Sequence, residues 1–165
     1  MLDILAAEGV AATFFVVGQD VDQHPDLVAA MVEGGHSVQN HSFTHADLTE
    51  LDQSAIRDEL ERATASIVSA GAPEPVCMRP PYGAYDSRVT EESQALGMET
   101  HLWDRDTRDW TEPGVDSIVD AATRATAGDV ILFHDGSGDR SQTVEALPQI
   151  IDQLRADGLD FAPSC

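Results

Sequence analysis

The chain has 165 residues, 42% of them hydrophobic, which is enough for one globular domain with a sizeable core. Thirty acidic residues stand against nine basic ones, all Arg, and the formal net charge is −21. Such a charge repels phosphate, so it argues against nucleic acid or anionic membranes as partners, and no apolar run is long enough to span a bilayer. A high-salt habitat and a GC-rich genome would both explain the acidity, and the sequence does not choose between them.

The first third of the chain alternates apolar runs with amphipathic segments. Residues 1–9 predict a helix, and they carry an acid where a signal peptide carries basic residues, so they do not predict an export signal. Residues 12–18 predict a buried strand that ends at Gly. A helix follows from about Pro25 to the glycines at 34 and 35, and residues 37–39 predict a short strand.

The middle of the chain continues the alternation. A long helix is predicted from Asp52 or Ser54 to Gly71, because apolar residues recur there at helical spacing. Residues 76–79 predict a strand that runs into a proline turn. A helix capped near residues 86–87 should end at Gly97, and residues 99–103 predict the next strand.

The last third predicts a helix through residues 115–125, a buried strand at 130–133, a final helix through 144–154 and a last strand at 159–161. Repeated strand–helix units indicate an α/β fold with a parallel sheet or barrel. Chemistry in such folds collects where strands end. Polar candidates for a functional site do follow the predicted strands, at four places.

The first candidate is the segment Asn40–His45, which places His41 and His45 four residues apart. Two such imidazoles can bind one metal ion if the segment is helical or tightly turned. The alternative is a surface helix whose two histidines bind nothing. Because the pair follows a predicted strand, we expect His41 and His45 to be metal ligands.

The second candidate is Arg79-Pro80-Pro81-Tyr82-Gly83. The prolines stiffen the backbone and Gly83 permits an unusual φ, so backbone N–H groups could point at an oxyanion beside a fixed cation. An ordinary turn with an exposed Arg is the alternative.

Two further segments combine acids with other reactive groups. His134-Asp135 follows the predicted strand with the clearest buried pattern, where a His is suited to general acid or base catalysis. The alternative is a His that merely bonds a neighbouring backbone group. Asp106–Trp110 combines acids with a large aromatic side chain, and it could equally be a solvated loop anchored by one Trp.

Cysteine is sparse. Cys77 and Cys165 could pair, but two cysteines so far apart in the sequence define no disulfide framework, and because Cys165 is the final residue we favour the unpaired state over a disulfide. Neither residue lies in a Cys-x-x-Cys or Cys/His cluster, so we do not expect sulfur to bind a metal.

Taken together, the motifs are more specific than any one alone. The series His-Ser-Phe-Thr-His (41–45), Arg-Pro-Pro-Tyr-Gly (79–83), Asp-Thr-Arg-Asp-Trp (106–110) and Ile-Leu-Phe-His-Asp (131–135) closely resembles the polysaccharide deacetylases with the NodB homology domain, carbohydrate esterase family 4. The likeness runs over nearly the whole chain. It implies a distorted (β/α) barrel and a single deacetylase domain over residues 1–165.

The resemblance also implies roles for individual residues. A divalent metal, usually zinc with cobalt as a substitute, would be bound by one Asp together with His41 and His45. Arg79 would orient the catalytic base, and the Tyr82 backbone N–H would stabilise the oxyanion. Asp109 would hold His134, the general acid. Trp110 and Leu132 would line the pocket for the acetyl methyl group, while Ser42 and Thr44 would only support the ligands.

One family motif does not occur in the sequence. Thr-Phe-Asp-Asp, on the family's first strand, supplies the base and the third metal ligand, and it should precede the opening helix. We therefore expect an N-terminally truncated domain whose first strand is missing and whose stability is low. The explanations are a start assigned too late, a genuine remnant, or replacement of the ligand by Asp104, Asp106 or Asp135.

The sequence thus predicts a metal-dependent hydrolase that removes N-acetyl groups from amino-sugar polymers such as peptidoglycan or chitin-like chains. The first alternative is an inactive remnant that still binds metal or carbohydrate. A second keeps the fold but acts on a small amide. The family often acts outside the cytoplasm, but these residues leave the location open.

Overall fold

The structure is a computed structural model that describes all 165 residues. It divides into two compact units, which we name for their place in the sequence. The central unit comprises residues 12–102 with 163–165, and the terminal unit comprises residues 1–11 with 103–162. None of the helices is long and apolar enough to cross a bilayer.

The central unit contains a four-stranded sheet in the order β1-β2-β3-β4. Its strands are β1 (Thr13–Val16), β2 (Ser37–Asn40), β3 (Cys77–Met78) and β4 (Glu99–Thr100), and all neighbours are parallel. The register pairs Thr13 with Ser37 and Cys77 with Glu99. The parallel arrangement agrees with the strand–helix alternation of the sequence, because parallel neighbours need a crossover between them.

Four helices connect these strands: α2 (Gly18–Gln23), α3 (Pro25–Glu33), α4 (Gln53–Ser69) and α5 (Ser87–Ala95). Two of them start at the predicted caps. The Asp52 carboxylate accepts the Ala55 amide at the start of α4, and Asp86 accepts two amides at the start of α5. These bonds satisfy amides that have no partner within a helix.

The two faces of the central sheet differ because side chains alternate along a strand. Phe14, Val38 and Met78 are buried on the face that α4 covers, and Met78 packs with Ile56 and Leu60 of that helix. The strand register places Phe15, Gln39, Cys77, Arg79 and His101 on the opposite face. This second set, which we call the polar face, carries most of the reactive groups of the unit.

The terminal unit contains α1 (Leu2–Glu8), β5 (Arg105–Asp106), β6 (Ile131–Leu132), α6 (Val115–Ala122) and α7 (Ser141–Ala156). Strands β5 and β6 pair in parallel. Its core is formed by α6 and α7, through Ile118, Ala122, Ala146, Ile150 and Leu154. The Arg155 side chain binds both the carboxylate and the carbonyl of Glu8, which fastens α1 to α7.

The structure corrects several element predictions. Residues 159–161 form no strand, because the Leu159 amide closes the end of α7 on Leu154 while Leu159 and Phe161 pack on the core. Helix α2 was not predicted, since its polar sequence has no apolar periodicity. Strand β5 was missed for the same reason, and the strand predicted at 130–133 is shorter than expected.

The prediction for cysteine was also wrong. Cys77 and Cys165 form a disulfide, with Cα atoms 6.3 Å apart. The tail at residues 163–165 lies against the sheet, where the Ser164 amide donates to Thr13 Oγ1 at 2.9 Å. Sequence spacing gives no sign of this long-range contact.

Candidate active site residues

The His pair lies in a tight turn directly after β2. The His41 and His45 ring centroids are 4.8 Å apart and the rings are nearly perpendicular, at 73°. The segment is not helical: Ser42 and His45 both have positive φ, at 63° and 61°. Non-glycine residues in this conformation are strained and often mark functional sites. The structure therefore brings the two imidazoles together by a turn, the second of the two predicted possibilities.

The orientation of His41 is fixed by a backbone carbonyl. Its Nδ1 lies 2.6 Å from the Arg79 carbonyl oxygen. A carbonyl can only accept, so Nδ1 carries the proton and the lone pair of the ring lies on Nε2. The hydrogen bond couples the His pair to the Arg79–Gly83 turn.

Two buried side chains hold the histidine turn, and sequence analysis missed both. The Asn40 side chain donates to the Leu60 carbonyl and accepts the Ser42 amide. Glu59 Oε2 accepts the amides of Phe43 and Thr44, at 2.9 and 2.8 Å. Glu59 lies on α4 and looks like an ordinary helix acid in the sequence, so only the three-dimensional contact identifies it.

Arg79 is buried on the polar face. It donates from Nε to the His101 carbonyl and from Nη2 to the Leu102 carbonyl. Its guanidinium carbon lies over the Phe15 ring, 4.1 Å from the ring centroid. Burial lowers the pKa of Arg79 to about 10. At neutral pH the residue is a fixed cation that neighbouring carbonyls and an aromatic ring hold in place.

The proline turn sets the Tyr82 amide apart from its neighbours. The Gly83 amide donates to the Pro80 carbonyl and the Ala84 amide donates to the Pro81 carbonyl, whereas the Tyr82 amide makes no backbone hydrogen bond in this turn. Tyr82 has φ of 61°, and its exposed ring meets His45 edge-on, with centroids 4.9 Å apart. No carboxylate joins His41 and His45 in a cluster of three potential metal ligands.

The terminal unit contains the predicted proton-transfer pair. Asp109 Oδ1 lies 2.8 Å from His134 Nδ1, and Oδ2 accepts both the His134 amide and the Thr143 hydroxyl at 2.8 Å. Asp109 is fully buried, whereas the His134 side chain is 37% exposed. Thr143 is a second residue whose contact the sequence did not reveal. The aspartate therefore fixes the ring while the rest of the imidazole remains accessible.

The pKa of Asp109 results from opposing causes. Burial of the carboxylate raises its pKa, but the hydrogen bonds from His134 and Thr143 together outweigh burial, and the pKa lies below the usual 3.8. Asp109 is consequently ionised at neutral pH, where it presents a negative charge to the ring.

The other predicted residues of this unit have different surroundings. Leu132 is buried in β6, and its carbonyl accepts the Thr107 hydroxyl at 2.7 Å. Trp110 is 51% exposed in the turn that follows Asp109. Both settings are compatible with an apolar contact for a small group.

The three acids considered as a substitute metal ligand all belong to the terminal unit, whereas the His pair belongs to the central unit. Asp104 accepts the Val130 amide and Asp106 accepts the Arg108 amide, so each supports backbone in the terminal unit. Asp135 is exposed in the same unit. The predicted residues thus fall into two groups: His41, His45, Arg79 and Tyr82 in the central unit, and Asp109, Trp110, Leu132 and His134 in the terminal unit.

Comparison with known proteins adds an independent line of information. Residues 1–101 match the family described as "Polysaccharide deacetylase". A chitooligosaccharide deacetylase of Rhizobium leguminosarum bv. trifolii is 42% identical over 98% of this chain and 80% of its own length.

Among solved structures, a family 4 carbohydrate esterase from Streptomyces lividans, in complex with acetate, superposes with a TM-score of 0.94. It shares 37% identity and the match covers 98% of this chain and 82% of that one. A family 4 pseudoenzyme from Bacillus anthracis has a TM-score of 0.91 and 29% identity, over 99% of this chain and 59% of that one. The α/β fold predicted from the strand–helix alternation, and the distorted barrel that the family resemblance implied, are thereby confirmed.

Proposed function

Because the chain belongs to the polysaccharide deacetylase family, we propose that it is a metal-dependent hydrolase that removes N-acetyl groups from amino-sugar polymers, either chitin-like chains or peptidoglycan. One observation carries the metal-dependent part of the proposal. His41 and His45 face one another in a strained turn, and His41 is oriented by a backbone carbonyl.

The residues of the histidine turn fit a divalent ion. Neutral imidazole nitrogens are common zinc ligands, and ligating histidines usually donate their other ring N–H to an oxygen, as His41 does. When bound, such an ion supplies Lewis-acid activation of water at neutral pH. Zinc is the proposed ion, and cobalt should replace it.

His134 is the proposed general acid. Amide hydrolysis requires a proton for the leaving amine, and a positioned His typically contributes ~10²–10⁴-fold to the rate. Asp109 binds Nδ1 of the ring, so it fixes the ring's orientation and stabilises positive charge on it. The exposed part of the imidazole would deliver the proton.

The proline turn would stabilise the tetrahedral oxyanion. The Tyr82 amide does not donate within its own turn, which leaves the N–H for an oxyanion. One well-placed donor of this kind is worth ~3–4 kcal/mol. Arg79 would add a fixed positive charge and orient the base, and Trp110 with Leu132 would contact the acetyl methyl group.

None of the residues with a proposed role supplies the base or the third metal ligand. The family resemblance calls for two adjacent aspartates in a Thr-Phe-Asp-Asp motif, and residues 1–165 contain none. We propose that carboxylates from outside these residues complete the site. An in-frame Thr-Phe-Asp-Asp in the DNA upstream of Met1 is the expected finding, and a stop codon there would contradict it.

The direct test is acetate release from acetylated chito-oligosaccharide and from peptidoglycan by the chain extended with the segment that supplies the two carboxylates, with zinc or cobalt added and with a chelator as the control. Activity should require the metal and should fall in His41→Ala. His24→Ala is the matched control, since His24 lies at the start of α3 outside both residue groups. Activity that survives His41→Ala would overturn the metal assignment.

A second function is favoured by the similarity to a family 4 pseudoenzyme. The chain would then bind metal or carbohydrate without cleaving it. Binding of the oligosaccharide, measured by calorimetry, together with no acetate release at saturating metal by the chain extended with the carboxylate-bearing segment would establish this function and exclude the hydrolase.

A further inference from the structure

The polar face of the central sheet carries a second group of metal-ligating side chains. Cys77 lies in β3, His101 directly follows β4, and Cys165 lies in the tail that packs against this sheet. One ligand atom from each lies within 4.8 Å of the other two. None of the three has a role in the proposed deacetylation.

We propose that Cys77, His101 and Cys165 form a thiol-dependent metal site that becomes available when their disulfide is reduced. Two thiolates and one imidazole are a ligand set that zinc and cobalt favour, and a water molecule can occupy the fourth tetrahedral position. Tetrahedral Zn–S bonds of ~2.3 Å place two sulfurs ~3.8 Å apart. The three atoms therefore need only a small adjustment after the covalent bond is broken.

The position of each ligand permits this adjustment. Cys77 is buried in a paired strand, and Gln39 Oε1 accepts its backbone amide at 2.8 Å, so this sulfur is fixed. His101 is anchored through its amide to the Met78 carbonyl and stacks on Phe15 at 6.0 Å. Cys165 is partly exposed on a short tail, which allows its sulfur to move away from Cys77.

The redox step is a two-electron exchange with a dithiol reductant. The S–S bond of Cys77–Cys165 breaks, each sulfur gains one electron and one proton, and the dithiol becomes a disulfide. Metal binding then releases protons, because the thiolates are the ligands. The disulfide form cannot offer these thiolates, so oxidation removes the site.

Cobalt titration of the full chain distinguishes this site from the His pair. Bonds between cobalt and thiolate give an intense near-ultraviolet charge-transfer band, which imidazole ligands alone do not. The protein would be reduced with a phosphine, which competes weakly for the metal, and compared with the air-oxidised protein. A thiol assay should find none before reduction and two after it.

The reduced wild type should bind one more cobalt ion than the oxidised form and should show the thiolate band. Cys165→Ser and His101→Gln should weaken or abolish the band, whereas Ser164→Ala and His45→Ala should retain it.

Circular dichroism checks that each variant is folded, and Cys165→Ser is the variant less prone to unfold because Cys165 lies in the tail. Absence of the band in the reduced wild type, or full intensity in Cys165→Ser, would overturn the proposal. Neither the cobalt stoichiometry nor the thiolate band depends on deacetylase activity. A failure of the proposed thiol site is therefore distinguishable from a failure of the proposed deacetylase function.

Discussion

His41 and His134 are both held through Nδ1, but by different kinds of acceptor. His41 donates to a backbone carbonyl at 2.6 Å, whereas His134 bonds the buried Asp109 carboxylate at 2.8 Å. A carbonyl fixes the tautomer without adding a full charge, which suits a neutral metal ligand. A carboxylate stabilises a ring that carries a second proton, which suits an acid. The partner, more than the imidazole itself, prepares each residue for its proposed role.

The largest test of this contrast compares His134→Ala with His41→Ala. We expect His134→Ala to lower kcat by ~10²–10⁴-fold and to leave metal affinity unchanged, because it removes only the proton donor. His41→Ala should lower metal affinity. Acetate release and metal content would be measured on both variants of the chain extended with the carboxylate-bearing segment. Equal loss of metal from the two would show that their roles are not separate.

The next test concerns the carboxylate behind the histidine turn. Glu59→Gln should weaken metal affinity by ~10–100-fold, because Oε2 accepts the Phe43 and Thr44 amides and thereby shapes the turn between the ligands. Glu61→Gln is the matched control, since Glu61 is an exposed acid on the same helix. Calorimetric titration with zinc gives the affinity. Identical values for the two variants would mean that Glu59 only stabilises the fold.

A pH experiment examines the other carboxylate. The depressed pKa of Asp109 stabilises the folded state above the usual value of 3.8, and this contribution is lost as the pH falls through the folded-state pKa. Asp109→Asn should therefore lower the free energy of unfolding by up to ~3 kcal/mol near neutral pH, and by less in acid. Urea unfolding between neutral pH and pH 3 measures it. A difference that does not vary with pH would contradict the ionised assignment.

The smallest expected effects compare two hydroxyls that donate to the two carboxylates. Thr143 is buried and donates to Asp109, so Thr143→Val should cost ~1.5 kcal/mol. Thr44 is exposed and donates to Glu59, so Thr44→Val should cost only ~0.5 kcal/mol. Thermal melts of the two variants would rank them. The reverse order would mean that burial does not set the strength of these bonds.

The sequence predicted the parts of the fold that depend on local pattern. Helix α4 begins after Asp52, one of the two predicted starts, and β2 leads into the histidine turn as expected. Both follow from short-range rules of capping and periodicity. The prediction of a strand at residues 159–161 was wrong. Leu159 and Phe161 alternate with a polar residue as in a strand, but they pack against the core between helices.

The candidate site was predictable only where ordered motifs mark it. His41, His45, Asp109 and His134 were named from motifs, and the structure places each pair in contact. Glu59 and Thr143 were not named, because each acts on residues 15 or more positions away along the chain. The pairing of Cys77 and Cys165 was missed for the same reason.

That disulfide also changes the chain as a polymer. It joins residues 88 positions apart, so the whole segment 103–162 of the terminal unit lies inside one covalent loop whose two ends belong to the central unit. Closing a loop of this length lowers the conformational entropy of the unfolded chain, which raises the free energy of the unfolded state by ~4–5 kcal/mol in the chain-entropy description. When residues 103–162 unfold, they therefore remain a closed loop joined to the central unit at both ends. A reductant is expected to lower the stability of this segment, although the segment contains no cysteine.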